Sequence, residues 1–178
     1  GFQYAISQKV FNLWGHIRVQ HFSPNRATLS EETPMETNDT VLHLLQQTAN
    51  VRTVQAFATK YAVIRSGEGI DYVQVKGVES TYDFHNLQGF LKAGRWPRFP
   101  DSGYSNEIVL SVSTAKELKI NVGNKVLIYF IQPDGPPRVR PMIVCGLYKT
   151  GIEDYDKLLA IGDLRLIQRL NGWKPNEL

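Results

Sequence analysis

The spacing of hydrophobic residues changes along the chain from the period of a helix to that of a strand. A narrow stripe at helical spacing runs through the first thirteen residues and is formed by Phe2, Ile6, Val10 and Leu13. Gly15 ends this predicted helix, and residues 16–22 then alternate between polar and apolar side chains, which predicts a half-buried strand. The polar residues 23–38 predict a loop leading into a second helix that ends near Ala49. The residue that caps this helix is Thr37, Asn38 or Asp39.

The most β-rich part of the chain follows this helix. Residues 51–66 place apolar side chains on both faces of a predicted strand, and residues 70–78 predict a second strand. The segment Gly67-Glu68-Gly69 has turn composition, so the two strands are expected to form a hairpin. Because both faces carry apolar groups, we expect this hairpin to lie in the middle of a sheet.

The middle of the chain predicts short elements around a proline-containing loop. Residues 86–93 predict a short helix that Gly94 ends, and the irregular loop 95–103 follows. Residues 107–111 predict a strand, and Ser113 is the expected cap of the next helix.

Two further strands are predicted in the last third. Residues 125–132 and 138–148 flank a proline-rich turn, and Asp163 is expected to cap a last helix over residues 164–170. This order of helices and strands predicts an α+β fold with mixed sheets. A shift in composition over residues 94–105 indicates a boundary between two lobes.

Composition narrows the class of protein. The chain has 178 residues, of which 42% are hydrophobic and 21% charged, so it can bury a core. Its net charge of +3 is spread along the chain without a basic stripe, which argues against nucleic-acid binding. No apolar run approaches the roughly 20 residues of a membrane helix. The chain opens at Gly1 without an initiator Met, which is typical of a domain excised from a longer protein.

Histidines and acidic residues lack the spacing of a metal site. The four histidines are His16, His21, His43 and His85. The first two face opposite sides of the predicted strand, and the other two are isolated, so no zinc site is expected. Glu153, Asp154 and Asp156 lack the spacing and the glycine of a calcium loop and are interpreted as solvated, turn-forming residues.

Nucleophilic and phosphate-binding motifs are also missing from the sequence. Cys145 lies in an apolar run and is interpreted as a small buried core residue. Neither a Walker pattern, nor G-x-G-x-x-G, nor a G-x-S-x-G elbow is present. We therefore predict no catalytic residue, cofactor or metal in this chain. A hydrolase that uses Ser102 or Ser105 with His85 stays as the enzymatic alternative.

One feature remains that could carry function, the turn between the two last predicted strands. Its residues are Pro133, Asp134, Gly135, Pro136, Pro137 and Arg138. Proline lacks a backbone donor and fixes its own φ, so this tip is stiff and cannot extend a sheet. It is interpreted either as a plain connection or as a protruding hairpin that binds a partner.

Four segments of the sequence together resemble a known family. They are Gly1-Phe2-Gln3 leading to Gly15-His16-Ile17-Arg18-Val19; Val75-x-Gly77-Val78; Glu107-Ile108-Val109-Leu110-Ser111 with Ala115, Leu118, Val122, Gly123 and Val126; and Val144-x-Gly146-Leu147-Tyr148-x-Thr150-Gly151 followed by Tyr155-Asp156. In order and spacing they resemble the extracytoplasmic domain of ABC transporter permeases. Within the wider MacB and FtsX-like group of permeases, the resemblance is to the lipoprotein-releasing LolC and LolE proteins.

The resemblance implies a porter-like α/β lobe formed by residues 1–85 with 152–178, and an inserted β-rich lobe formed by residues 86–151. It also implies a periplasmic domain of an inner-membrane permease that has four membrane helices, acts as a dimer and pairs with a separate cytoplasmic ATPase. ATP would be used only by that ATPase. A hairpin matching residues 131–141 would hook a periplasmic lipoprotein carrier or adaptor, although it is shorter here than in the family.

Three other functions are kept as alternatives. The domain could transmit motion in a MacB-like exporter of another cargo, or in an FtsX-like regulator of a cell-wall hydrolase. It could also be a freestanding periplasmic ligand-binding domain with a pocket between its lobes.

Overall fold

Helices and strands are interspersed along the described chain. A computed structural model describes residues 2–20, 33–67 and 69–178. The helices are α1 (Phe2–Trp14), α2 (Asp39–Gln47), α3 (Val112–Glu117), α4 (Glu153–Leu158) and α5 (Leu164–Asn171), with a 3₁₀ helix at His85–Phe90. The strands are β1 (Phe57–Arg65), β2 (Ile70–Val78), β3 (Leu91–Gly94), β4 (Glu107–Ser111), β5 (Lys125–Phe130), β6 (Arg138–Tyr148) and β7 (Leu159–Asp163).

All seven strands belong to one mixed sheet in the order β3-β6-β4-β7-β2-β1-β5. The pairs β2–β7 and β4–β6 are parallel, and the others are antiparallel. Because β5 also pairs with β6, the pairings among six of the strands close into a ring. The predicted α+β class with mixed sheets is confirmed. Strands from both predicted lobes share this sheet, and the division into two lobes stays a prediction.

The sheet separates two apolar cores. On β4, Ile108 and Leu110 point into the larger core with α3 and α5, whereas Val109 points into the smaller core beside α1. All three side chains are fully buried. Cys145 is buried in the smaller core, as predicted, and burial raises the pKa of its thiol to about 12.

Several local predictions agree with the structure. The strand over residues 70–78 and the hairpin with β1 are confirmed, as is the helix capped by Asp163. Asn38 is the cap of α2, since its side chain accepts the amide of Val41 at 2.8 Å.

Other local predictions were wrong. Residues 16–20 form no strand, and Ile17 is 80% exposed; residues 21 and 22 lie outside the described residues, as does most of the predicted loop 23–38. Residues 86–93 are a 3₁₀ turn followed by β3, because pairing with β6 overrides local helix propensity. Ser111, rather than Ser113, caps α3, since its hydroxyl accepts the amide of Thr114 at 3.0 Å.

Candidate partner-binding hairpin and its support

Five of the six predicted site residues, Pro133 to Pro137, lie in one exposed turn between β5 and β6, and the sixth, Arg138, is the first residue of β6. Strand pairing runs from Lys125↔Ile143 to Phe130↔Arg138, and the turn lies beyond that last pair. The residues from Pro133 to Arg138 are all exposed, and Gly135 has a φ of 98°, which favours glycine. The predicted hairpin is therefore present, while its contact with a partner stays a prediction.

The base of the hairpin is fastened to the rest of the fold. Phe130 is fully buried, and the amide of Ile131 donates to the carbonyl of Tyr61 on β1 at 3.0 Å. The Arg138 guanidinium donates to the carbonyl of Leu170 at the end of α5, at 3.0 Å. A cation at a helix carboxyl end is favoured by the helix dipole. The tip thus projects from a rigid base.

A buried lysine contributes to the same junction. Lys60 is only 4% exposed, and its ammonium donates to the side-chain oxygen of Asn171 at 2.7 Å. Burial and, to a lesser degree, the nearby charge of Arg138 lower the pKa of Lys60 to about 8. The sequence analysis did not single out Lys60. Its position on β1, two residues from both Ala58 and Ala62, places it on the same buried face as these alanines.

A second buried lysine attaches α1 to the sheet. Lys76 on β2 is 3% exposed and donates to the carbonyl of Leu13, near the carboxyl end of α1. Its ammonium lies 4.8–5.3 Å from the ring centroids of Trp14, Phe57 and Tyr82. Burial, and secondarily the charge of Arg18, lower the pKa of Lys76 to about 7, while the three ring faces favour its charged form. Lys76 therefore joins the carboxyl end of α1 directly to β2.

Residues 148–159, which include the last motif of the family resemblance, are joined by a local network of hydrogen bonds. Asp156 at α4 accepts the amides of Thr150 and Gly151 at 2.8 and 2.9 Å, and the Thr150 hydroxyl at 2.9 Å. The Tyr148 hydroxyl lies 2.7 Å from the carbonyl of Leu159, to which it donates. Asp156 is 8% exposed, so the interpretation of it as a solvated residue was wrong.

Replacing Asp156 with alanine should lower the free energy of unfolding by roughly 1–3 kcal/mol, because two amides would lose their acceptor in a buried setting. Urea denaturation of the chain measures this change. Asp154→Ala, at an exposed position on the same helix, is the matched control and should change stability by less than about 0.5 kcal/mol. Equal losses in the two variants would contradict a structural role for Asp156.

Motif glycines lie where backbones approach closely. A Cβ added to Gly77 would lie 2.8 Å from Cα of Leu164 on α5, and one added to Gly146 would lie 2.3 Å from the carbonyl oxygen of Arg95. Beside Gly146, the Arg95 guanidinium forms two hydrogen bonds with the carboxylate of Glu107, and this pairing lowers the pKa of Glu107. These contacts account for the glycines and the glutamate that this chain carries at these positions.

The residues of the enzymatic alternative occupy structural positions. The Ser105 amide donates to Asp163 at 2.7 Å, and its hydroxyl accepts the amide of Glu107 at 3.3 Å. Ser102 and His85 are exposed. Within the described parts of the chain, no group of three or more His, Cys, Asp or Glu side chains could hold a metal ion. None of the helices described is both long and apolar enough to cross a membrane.

A family model described as the MacB-like periplasmic core domain matches residues 1–172. The chain belongs to this family. It is a periplasmic domain of the kind found in inner-membrane ABC transporter permeases of the MacB, LolC, LolE and FtsX type. This family is not a known enzyme family.

Two curated relatives and one solved structure illustrate the similarity. The chain is 24% identical over 192 residues to the lipoprotein-releasing system transmembrane protein LolE of Haemophilus influenzae, with all of the chain and 42% of LolE aligned. It is 26% identical over 186 residues to the corresponding LolC of Neisseria meningitidis serogroup B, with 96% of the chain and 41% of LolC aligned. The chain thus spans less than half the length of these relatives.

The fold matches that of the periplasmic region of MacB from Actinobacillus actinomycetemcomitans. The TM-score is 0.54 at 15% identity, and the match covers 89% of this chain and 68% of the MacB chain. The suspected family resemblance is therefore confirmed for the fold and the domain type.

Proposed function

We propose that this MacB-like domain belongs to a permease that releases lipoproteins from the inner membrane, and that its hairpin tip binds a periplasmic carrier or adaptor. The observation that carries the proposal is the exposed, proline-stiffened tip on a fastened base. A rigid tip loses little conformational entropy on binding, which favours recognition. The two curated relatives that match all or 96% of the chain are named as lipoprotein-releasing system proteins.

The attachments of α1 and of the hairpin base support a role for the domain in force transmission. In this proposal α1 continues a membrane helix, and a separate cytoplasmic ATPase moves that helix within a permease dimer. Lys76 and its aromatic neighbours carry the displacement from α1 into β2, and the shared sheet carries it to β5 and β6. The domain itself holds no cofactor in this scheme, since ATP is used on the other side of the membrane.

Photo-crosslinking in the complete permease tests the binding step. A benzoylphenylalanine at Pro136 should capture a periplasmic lipoprotein carrier or adaptor in cells, because the tip is exposed. The same probe at Leu44, which is 62% exposed on α2, is the control and should capture neither. Capture of a cell-wall hydrolase activator would favour an FtsX-like regulator, and the absence of any periplasmic protein at Pro136 would overturn the proposal.

A further inference from the structure

The carboxyl end of α1 is attached to the sheet by a small number of contacts. Of the α1 side chains that the structure describes, only Leu13 is buried. Trp14 packs edge-on against Phe57 of β1, with ring centroids 5.7 Å apart. The Asn12 side chain donates to the carbonyl of Asn86 at 3.3 Å. A helix held over about one turn can open locally, because few buried contacts are lost when it moves away from the sheet.

An ammonium group lies in the middle of this attachment. Lys76 on β2 donates to the carbonyl of Leu13. Its nitrogen also lies against the rings of Trp14, Phe57 and Tyr82. Ring faces and one carbonyl replace only part of the hydration that an ammonium loses on burial. Attachment of α1 therefore costs more free energy when Lys76 is charged than when it is neutral.

The acidic side chains that follow Lys76 in the sequence are bonded elsewhere. Glu79 accepts the amide of Ala56 at 3.1 Å, and Asp83 accepts the amide of His85 at 2.8 Å. None of the salt bridges among the described residues includes Lys76. The contact between α1 and β2 thus lacks a carboxylate that would hold the ammonium charge.

The remaining titratable groups around the ammonium add no negative charge. Burial and the charge of Asp83 raise the pKa of Tyr82 to about 12, so its phenol is neutral. Arg18 lies over one of the rings that Lys76 contacts. Burial and then the charge of Arg18 lower the pKa of Lys76 to about 7. His16, just after α1, stacks on a ring of that helix.

Release of α1 reverses this balance, because it exposes the ammonium to water. The pKa of Lys76 is about 7 while α1 is attached and returns towards its ordinary value of 10.5 on release. Between these values the released state binds more protons, so the equilibrium constant for opening falls as the pH rises. Below about pH 7 both states are protonated, and the constant changes little.

We propose that Lys76 makes the contact between α1 and the sheet a pH-sensitive joint, which opens more readily at neutral and acidic pH than at alkaline pH. The joint belongs to the domain itself and needs no partner at the hairpin tip, so it goes beyond the proposed function. In a periplasmic domain it lets the pH set how firmly α1 is attached to β2. An open joint would pass less of the displacement of α1 to the sheet.

Thiol labelling of a Leu13→Cys variant measures opening of the joint. In a Cys145→Ala background this thiol is shielded until α1 is released. Dividing its labelling rate by that of Leu44→Cys, at a side chain that is 62% exposed, removes the pH dependence of the thiol itself. The opening constant should stay within about twofold between pH 5 and 7 and fall at least about fivefold between pH 7 and 9. A constant that is unchanged or rises from pH 7 to 9 would overturn the proposal.

Lys76→Met in the same background separates titration from packing. Methionine keeps an unbranched apolar side chain but binds no proton, so the opening constant should vary less than about twofold between pH 7 and 9. Arg18→Gln should move the fall to higher pH, because a nearby cation is removed. Lys92→Met, at an exposed lysine, is the matched control and should keep the wild-type profile. A fivefold fall that persists in Lys76→Met would assign the effect to another group and contradict the joint.

Two measurements on the wild-type chain do not depend on the folding of these variants. A carbon-13 NMR titration of Lys76 Cε should give a midpoint near pH 7, and a midpoint near 10.5 would overturn the joint. Cys145, buried in the smaller core, becomes labelled only when the sheet itself opens. Its opening constant should be smaller than that of Leu13→Cys, and equal constants would mean that α1 has no separate opening. Any of these failures leaves crosslinking at Pro136, and with it the proposed function, untouched.

Discussion

Gly146→Ala is expected to destabilise the domain by about 3 kcal/mol or more. The added methyl carbon would lie 2.3 Å from the carbonyl oxygen of Arg95 and 3.1 Å from its carbonyl carbon. Both atoms are backbone, so relief requires β6 to move away from the chain at Arg95, where that chain pairs with Cys145. Such a shift would also strain the Arg95–Glu107 pairing. Guanidinium denaturation, followed by tryptophan fluorescence, measures the loss.

The control for this prediction is a glycine with free space around it. Gly67 is exposed, its φ is not positive, and nothing lies within 4 Å of an added Cβ. Gly67→Ala should therefore change stability by less than about 1 kcal/mol, and in the stabilising direction if at all. Equal stability of the two alanine variants would contradict the close approach between Gly146 and the backbone of Arg95.

Lys76→Met is expected to remove a large part of the pH dependence of stability. The pKa of Lys76 is lowered to about 7 in the folded protein, against an ordinary value of 10.5. Between these values the unfolded chain binds more protons, so the free energy of unfolding rises with pH from about 7 upward. The rise is at most about 1.4 kcal/mol per pH unit, and the aromatic rings, which favour the ammonium, reduce it.

Urea denaturation at pH 7 and at pH 9 measures this slope. The wild type should be more stable at pH 9, and Lys76→Met should show a distinctly smaller gain. Some gain should persist, because the pKa of Lys60 is also lowered, to about 8. Lys92→Met, at an exposed lysine, should keep the wild-type slope. A wild type that loses stability over this interval would contradict the buried state of Lys76.

Elements with strong local patterns were predictable from the sequence. The strand over residues 70–78 is rich in β-branched and aromatic residues, and the Gly-x-Gly sequence before it favours the hairpin with β1. The last helix begins at an aspartate that accepts the amide of Arg165, and it ends at Gly172 with a φ of 69°. In each case the signal lies within a few residues, where capping and turn chemistry act.

Elements held by distant partners were not predictable. Strand β7 has five fully buried residues and pairs in parallel with β2, so neither alternation nor a tight turn reveals it. The alternation at Ile17 and Val19 resembled a strand, yet no strand among the described residues pairs with this segment, and both side chains are exposed. Periodicity reports which face is apolar, but it cannot report whether a partner is present.

The candidate site was predictable only in part. Prolines and a glycine between two strands identified the hairpin tip from Pro133 to Arg138. The hydrogen bonds that attach its base to Leu170 and Tyr61 could not be predicted without the fold, since they join residues that are far apart in the sequence. The row of Tyr72, Val63 and Tyr129 across β2, β1 and β5 was equally hidden, because it exists only once the register of three strands is known.

Reconstitution of the complete permease with its ATPase tests the central claim most directly. The account predicts that Pro136→Gly combined with Pro137→Gly lowers ATP-dependent transfer of a lipoprotein to its soluble carrier at least about tenfold, equivalent to about 1.4 kcal/mol. Basal ATP hydrolysis should stay within about twofold, since the tip is exposed and its base is intact. Transfer at the wild-type rate by this variant, with Gly67→Ala as the matched control, would contradict the claim that the hairpin tip engages the partner.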